Sequence, residues 1–190
     1  MEEKDFKIAG SGTIASGSYN KISVAGSASS NGNIECNLLK VAGSASFNGD
    51  VDAKELSLAG STKFLYNLKC DTIKIAGAVK VYGNVASELL KIDGAIKIEG
   101  ECNVGTLNHV SEGSSYNNIY GETINIECKR NKQTTVNEIE ATNIELRSVV
   151  AKRVSGDNIV VTGKSVIDII EFKDTLKISK NVDVKVIIKL

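Results

Sequence analysis

The feature of this sequence that most constrains its fold is a glycine that recurs every seventeen residues. The tripeptide Ala-Gly-Ser occupies 25–27, 42–44 and 59–61, and it becomes Ala-Gly-Ala at 76–78 and Asp-Gly-Ala at 93–95. A fixed period of this length is typical of a solenoid, in which each repeat is one structural unit stacked on the previous one. The sequence therefore predicts a repeat protein.

The positions around each glycine alternate between apolar and polar residues. Two and four residues before the glycine every side chain is aliphatic, and the even positions after it are mostly apolar or small. The odd positions carry Ser, Lys, Asn, Asp and Glu. Alternation with period two is typical of strands with one buried face. The inward columns are predicted to contain, among others, Ile22, Leu39, Leu56, Ile73 and Leu90, and Phe47 beside Phe64.

Each repeat also contains three corners. The recurring glycine provides the first, and Asn-Gly pairs at 31–32 and 48–49 mark a second, because Asn and Gly tolerate positive φ. Because the period of 17 residues is odd, the alternation of inward and outward side chains must be reset once per repeat. This happens at 37–38 and equivalent positions, which mark the third corner. We expect an all-β fold, a single-stranded parallel β-helix (β-solenoid) with triangular coils of about 17 residues. Sandwiches, up-and-down barrels, hexapeptide β-helices and helical solenoids do not produce this pattern.

The repeat is regular over about 6–107 and less regular over 119–190. The longest insertion, near 129–135, is interpreted as a loop at a corner, since corners accept insertions and stacked strands do not. We expect a single β-helix domain over 1–190. In the less regular part, strand-like pairs return with spacings of 20, 15 and 17 residues, at Ile124/Ile126, Ile144/Leu146, Ile159/Val161 and Leu176/Ile178.

Composition limits the partners. The 23 Lys+Arg and 23 Asp+Glu residues cancel, so no general attraction to nucleic acid or to anionic membranes is expected. The row of Lys63, Lys80 and Lys97 is interpreted as a solvated face rather than a site for an anionic polymer. No apolar run approaches the roughly 18 residues of a membrane span, and four cysteines without a CxxC pair are typical of reduced thiols. We expect a cytoplasmic protein.

Candidate catalytic groups are few. Glu35 and Asp52 are predicted to stack about 4.8 Å apart with Asp50 nearby, and paired carboxylates hydrolyse glycosides, but these positions face outward on a smooth wall. His109, the single histidine, lacks the partners of a triad or metal site, and it is expected to end the regular stack or to pack with its ring nitrogens satisfied. No phosphate-binding loop of the type GxxxxGK[ST] occurs. We expect a non-enzymatic protein without catalytic residues, cofactors or metal ions.

A coil pattern of glycine, aliphatic pair and Gly-x-Val-x-Ala is seen in Gly49-Asp-Val-Asp-Ala53. With this pattern the regular half resembles the bactofilin-like, polymer-forming cytoskeletal proteins of bacteria, and 154–163 and 170–178 resemble a branch found in spore-forming bacteria. The resemblance implies a right-handed β-helix that assembles end to end into nucleotide-independent filaments and serves as a scaffold. This sequence lacks the Pro-rich arms of typical bactofilins, and its acidic N-terminus does not resemble a membrane-targeting segment, which argues against membrane attachment.

The two ends of the predicted solenoid are the candidate sites of self-association. A β-helix end exposes unpaired backbone groups and an apolar cross-section, and neither end has an obvious cap in the sequence. We expect a homo-oligomer or filament, with a paralogue as a further candidate partner. The alternative hypothesis is a carbohydrate-binding or carbohydrate-cleaving β-helix. The predicted self-association residues are Phe6, Ile8, Val184, Val186, Ile187, Ile188 and Leu190.

Overall fold

The computed structural model describes residues 4–129 and 132–190. Within these residues the regular structure consists of strands, and each strand pairs in parallel with the next one along the chain. The strands are β1 (Lys4–Asn48), β2 (Val51–Phe64), β3 (Leu68–Val81), β4 (Val85–Ser111), β5 (Ser115–Cys128), β6 (Thr134–Arg147), β7 (Val149–Thr162), β8 (Val166–Ile178) and β9 (Asp183–Lys189).

Successive coils stack with a register of 17 residues. Leu39 pairs with Leu56, Leu56 with Ile73, and Ile73 with Leu90, so equivalent positions of the repeat are neighbours on successive coils. The long strand β1 extends over more than one coil. Within it, the Ser18 hydroxyl donates to Glu35, 17 residues later, at 3.2 Å, so these two residues lie on successive coils. The predicted all-β solenoid with coils of about 17 residues is confirmed.

The inward columns form one continuous core. Ile22, Leu39, Leu56, Ile73 and Leu90 are at most 1% exposed. The rings of Phe47 and Phe64 stack as predicted, with centroids 5.0 Å apart and planes 10° from parallel. The four cysteines are buried, and burial raises the pKa of the Cys70 thiol to about 12. The predicted assignment of inward and outward positions is therefore correct in the regular half.

The recurring glycine is required by how closely successive coils approach each other. Gly60 has φ of 132°, and a Cβ built on it would lie 2.1 Å from the carbonyl oxygen of Gly43 on the previous coil. No side chain fits at that distance, and L-residues rarely adopt that φ. We call this edge of the coil the glycine corner; it contains Gly26, Gly43, Gly60, Gly77 and Gly94, and Gly94 has the same close contact with Gly77.

The second corner is held by a ladder of side-chain amides and carboxylates. The backbone N–H of Asn67 donates to Asp50 Oδ1 at 3.0 Å, and the N–H of Asn84 donates to Asn67 Oδ1 at 3.0 Å. The ladder begins at Asn33, which accepts from the N–H of Asp50, and ends at Glu101, whose N–H donates to Asn84. Each rung satisfies a turn N–H that has no strand partner at the bend, so one polar side chain per coil fixes this corner.

The less regular half keeps its inward columns while the corner lengths change. Ile124 pairs with Ile144 and Ile144 with Ile159, which confirms the predicted spacings of 20 and 15 residues. Ile159 pairs with Leu176 at the predicted spacing of 17. The longest coil has its extra residues between β5 and β6, where the insertion near 129–135 was predicted; residues 130 and 131 lie outside the described part.

His109 occupies an inward position where the irregular coils begin, and it is 2% exposed. The Tyr116 hydroxyl lies 2.8 Å from Nδ1, and Nε2 lies 3.2 Å from the Gly94 carbonyl and 3.3 Å from Ser114 Oγ. A carbonyl only accepts, so the proton is on Nε2 and Tyr116 donates to Nδ1. Burial lowers the pKa of His109 to about 4, and the ring is neutral at pH 7. Packing with both ring nitrogens satisfied, one of the two predicted alternatives, is confirmed.

Candidate self-association surfaces

The last strand, β9, has a free edge. It pairs with β8 through Val166–Phe172, and no strand among the described residues pairs with its other side. The adjacent stretch of β8 that contains Leu176 and Ile178 is not covered by β9 either. Backbone donors and acceptors along this edge are therefore available to an added strand.

Apolar side chains are exposed along the same edge. Ile187 lies directly over Ile170, which is fully buried, yet Ile187 itself is 51% exposed because no coil lies over it within the described residues. Val184 is half-buried against the core. The remaining predicted residues are exposed as well: Val186 by 45%, Ile188 by 41% and Leu190 by 69%. Four of the five predicted C-terminal residues are thus exposed apolar side chains in β9 or directly after it, and we call this part of the molecule the C-terminal end.

Two lysines of β9 contact the coil below. Lys185 Nζ lies 2.7 Å from Asp168, and Lys189 lies over the Phe172 ring at 5.9 Å from its centroid. The hydrogen bond to Asp168 raises the pKa of Lys185. Lysine on an edge strand commonly discourages strand addition. Here both ammonium groups interact with residues of β8, and the apolar side chains of the C-terminal end remain uncovered.

The N-terminal end is less exposed. Phe6 is half-buried and packs edge-on against Tyr19, with centroids 5.7 Å apart. The Tyr19 hydroxyl donates to the carbonyl of Ala15 at 2.8 Å. Ile8 is 7% exposed, so its side chain belongs to the core. Of the two N-terminal residues predicted from the sequence, only Phe6 presents side-chain surface.

A groove that sequence reasoning missed runs along the outer face between the first and second corners. It encloses about 840 Å³. Its floor includes Thr62, whose Oγ1 is buried and has no hydrogen-bond partner in the described part of the chain. Ala45, Val79 and Ile96 complete the floor, Lys63, Lys80 and Lys97 line one side, and Gly113, Ser114 and Gln133 lie toward the irregular coils.

Exposed apolar side chains extend this surface at the second corner. Leu65 is 37% exposed, Tyr66 52% and Tyr82 38%. Lys80 Nζ lies 3.8 Å from the centroid of the Tyr82 ring, which is a cation–π contact. The signal in the sequence was the occurrence of Leu65 and Tyr82 at odd, outward positions of the repeat, where the other coils have Asn48 and Glu99.

The carboxylates considered for catalysis lie away from this groove. Glu35 and Asp52 are neighbours on successive coils, as predicted, and both are exposed. Asp52 pairs with Lys69 at 3.2 Å, and Glu35 accepts from Ser18 at 3.2 Å. The residues that line the groove include no carboxylate. Within the described residues, no three His, Cys, Asp or Glu side chains are grouped so as to hold a metal ion.

Comparison with protein families identifies the regular half. The family model described as "Bactofilin: Polymer-forming cytoskeletal" matches residues 3–103. The chain belongs to the bactofilin family. The match covers the coils with the 17-residue register, so the glycine corner and the inward columns lie within the bactofilin region. The resemblance seen in the sequence is therefore confirmed at the level of the family, which is structural and cytoskeletal.

Two other comparisons gave no match: one with curated proteins and one with solved structures. Within residues 4–129 and 132–190, no helix has the length and apolar character that crossing a membrane requires.

Proposed function

We propose that this bactofilin is a non-enzymatic cytoplasmic scaffold whose copies join end to end, without a nucleotide, through the ends of the solenoid. The observation that carries the proposal is the C-terminal end, where Val186, Ile187, Ile188 and Leu190 are exposed beside an unpaired strand edge. Membership in a polymer-forming family supports it.

An added strand would continue the structure that already holds the coils together. The outer edge of β9 would form backbone hydrogen bonds with a strand of another copy, and Ile187 would enter an inward column that the next copy extends. Each junction would bury apolar surface. Burial stabilises the contact by roughly 25 cal/mol for each Å² of apolar surface that is removed from water. No step of this assembly needs a bound phosphate, and the sequence has no GxxxxGK[ST] loop. The partner is a second copy of this chain or a paralogue with equivalent ends.

The test is the double variant Val186→Lys with Ile188→Pro. Lysine places a charge in the junction, and proline, which lacks an N–H and restricts φ, disfavours the strand conformation that β9 needs to accept an added strand. At high salt, where contacts between charged surfaces are screened, we expect the parent chain to form filaments or oligomers and the variant to remain a folded monomer. Negative-stain electron microscopy and light scattering over a concentration series measure assembly, and circular dichroism verifies the β-structure.

The matched control is Val110→Lys, which makes the same change at a half-buried position of β4, in the middle of the solenoid. It should leave assembly intact. A parent that is monomeric at high concentration, or a double variant that assembles as the parent does, would contradict end-to-end joining through β9.

A further inference from the structure

Charge is segregated around the axis of the regular coils, although the whole chain is neutral. Over residues 22–105, the two faces that flank the glycine corner carry six lysines and two carboxylates, whereas the third face, between the second and third corners, carries seven carboxylates and two lysines. The six lysines are Lys40, Lys63, Lys74, Lys80, Lys91 and Lys97. The seven carboxylates, here called the acidic face, are Glu35, Asp50, Asp52, Glu55, Asp71, Glu88 and Glu101.

These charges face solvent and are only partly neutralised within the chain. All seven carboxylates of the acidic face are exposed. On the basic side, Glu99 lies 3.0 Å from Lys80 and 3.2 Å from Lys97. These two hydrogen bonds lower the pKa of Glu99. The excess of lysine on one side and of carboxylate on the other remains.

The basic side also has the apolar surface that a protein partner needs. The groove, with its floor of Ala45, Val79 and Ile96, lies directly beside Lys63, Lys80 and Lys97. Exposed Tyr82 contacts Lys80, and exposed Leu65 follows Lys63 by two residues in the chain. Interfaces between proteins typically combine such an apolar, aromatic centre with a charged rim.

We propose that the acidic face of a second copy packs against this lysine-bordered groove, so that copies associate side by side. The charges on both surfaces repeat once per coil, at about 4.8 Å, so two parallel or antiparallel rods can bring many opposite charges together in one contact. Each copy carries both surfaces on different sides. The contact is therefore heterologous, so each copy can bind two neighbours, and we expect it to add copies sideways into sheets or bundles.

The contact involves neither end of the solenoid and is independent of end-to-end joining. One exposed ion pair contributes little to association. The side-by-side contact thus depends on several pairs at once, and it should weaken steeply as the screening length falls from about 10 Å at 0.1 M salt to about 3 Å at 1 M.

The first test reverses the lysine row with Lys63→Glu, Lys80→Glu and Lys97→Glu. We expect filaments of normal length that no longer bundle at low salt, with the amount sedimented at low speed reduced about tenfold or more, because like charges now meet. A second variant, Asp52→Lys with Asp71→Lys and Glu88→Lys, should show the same loss. An equal mixture of the two variants should bundle again, since opposite charges are restored.

The matched control has the same change in net charge at other positions: Lys129→Glu, Lys152→Glu and Lys164→Glu, all exposed and none in the groove or on the acidic face. It should bundle as the parent does. Bundling that survives reversal of the lysine row, that is lost equally in the control, or that the mixture fails to restore would overturn the proposal.

The same variants separate this inference from the proposed function. In the Val186→Lys/Ile188→Pro background, sedimentation velocity should still detect side-by-side oligomers at low salt, and these should dissociate at 1 M salt. If filaments never form but these oligomers do, end-to-end joining fails and the lateral contact stands. If this background shows no salt-dependent oligomers, the lateral contact fails. Parent chains that bind polyglutamate but not one another would assign the groove to an acidic polymer and would also overturn it.

Discussion

The regular and the irregular halves of the solenoid both stack their coils over a buried core, but they differ in register and in corners. In the regular half each coil repeats its predecessor, with a constant register and a ladder of polar side chains at one corner. In the irregular half the coil length varies and the register shifts near Ile98 and again near Gly156, yet Ile124, Ile144 and Ile159 are as buried as their regular counterparts. The inward columns are therefore the requirement of the fold, and constant corners are not.

The polar groups of the two halves differ in the same way. The regular half has its ladder at an exposed corner, where water can replace a lost bond. The irregular half has buried His109 and Tyr116, and each ring depends on the other for a hydrogen-bond partner. An unpaired polar group lowers the free energy of unfolding more at a buried site than at a solvent-exposed site. Four measurements test this contrast.

The largest effect should come from the stacked phenylalanines of the regular half. Phe47→Ala removes a ring that contacts Phe64 and leaves a cavity between coils, which should lower the free energy of unfolding by roughly 3–5 kcal/mol. Chemical denaturation measures it. Ile124→Ala in the irregular half is the matched comparison, and a loss of about 2–5 kcal/mol is expected there. A much smaller loss for Ile124 would mean that the irregular coils are loosely packed.

Acidification should destabilise the irregular half through His109. Its folded pKa, about 4, is below the unfolded value of 6.5, so the unfolded chain binds the proton first as the pH falls. The contribution of the neutral His109 ring to the free energy of unfolding is complete above pH 6.5. It is lost between pH 6.5 and about 4, and the total loss is about 3 kcal/mol.

The measurement is the pH dependence of the free energy of unfolding in the parent and in His109→Gln. The carboxylates titrate in both proteins, so the difference between the two curves isolates the histidine. Curves that stay parallel from pH 6.5 to 4 would contradict a buried neutral ring.

Removing the donor to His109 should have an intermediate effect. Tyr116→Phe deletes the hydroxyl that donates to Nδ1 and leaves this nitrogen buried without a partner, at a cost of about 1–3 kcal/mol. Tyr120→Phe is the control, because the Tyr120 hydroxyl accepts from Asn118 at a half-buried site. Thermal unfolding followed by circular dichroism should rank the two variants in this order, and equal losses would count against the network.

The smallest effect is expected at the exposed ladder. Asn67→Ala removes the oxygen that accepts from the N–H of Asn84, with a loss of about 0.5–1.5 kcal/mol. Asn103→Ala, at an exposed position of β4, is the comparison. If the ladder variant loses as much stability as Tyr116→Phe, the expected difference between solvent-exposed and buried polar groups does not hold.

Most of the fold follows from local pattern. The columns of Leu39 and Phe47, the corners and the spacings of the irregular half could all be predicted, because each depends on side-chain alternation within one coil. The contact of His109 with Tyr116 could not, since it joins positions at different places in the repeat and depends on how the chain turns after the last regular coil. The exposure of Val186, Ile187 and Ile188 was predictable, because these apolar residues fall at an end of the predicted solenoid.

The groove was hidden from sequence reasoning for a related reason. Val79 and Ile96 occupy inward columns, and the pattern alone assigns them wholly to the core. They also line the groove, which is a property of the folded surface and not of the side-chain pattern. The charge segregation was present in the sequence, but its meaning depends on which corners separate the faces.

The close approach at the glycine corner makes length the easiest property of this rod to change. Because a Cβ at Gly60 would clash with the backbone carbonyl one coil away, a lone substitution in the column is penalised, whereas an in-frame duplication of one whole repeat reproduces every contact it interrupts. Such a duplication would lengthen the rod by about 4.8 Å and leave both ends and the charge pattern of each face as they were. A lineage could thus adjust the dimension of its scaffold in equal steps, without a new interface at any of them.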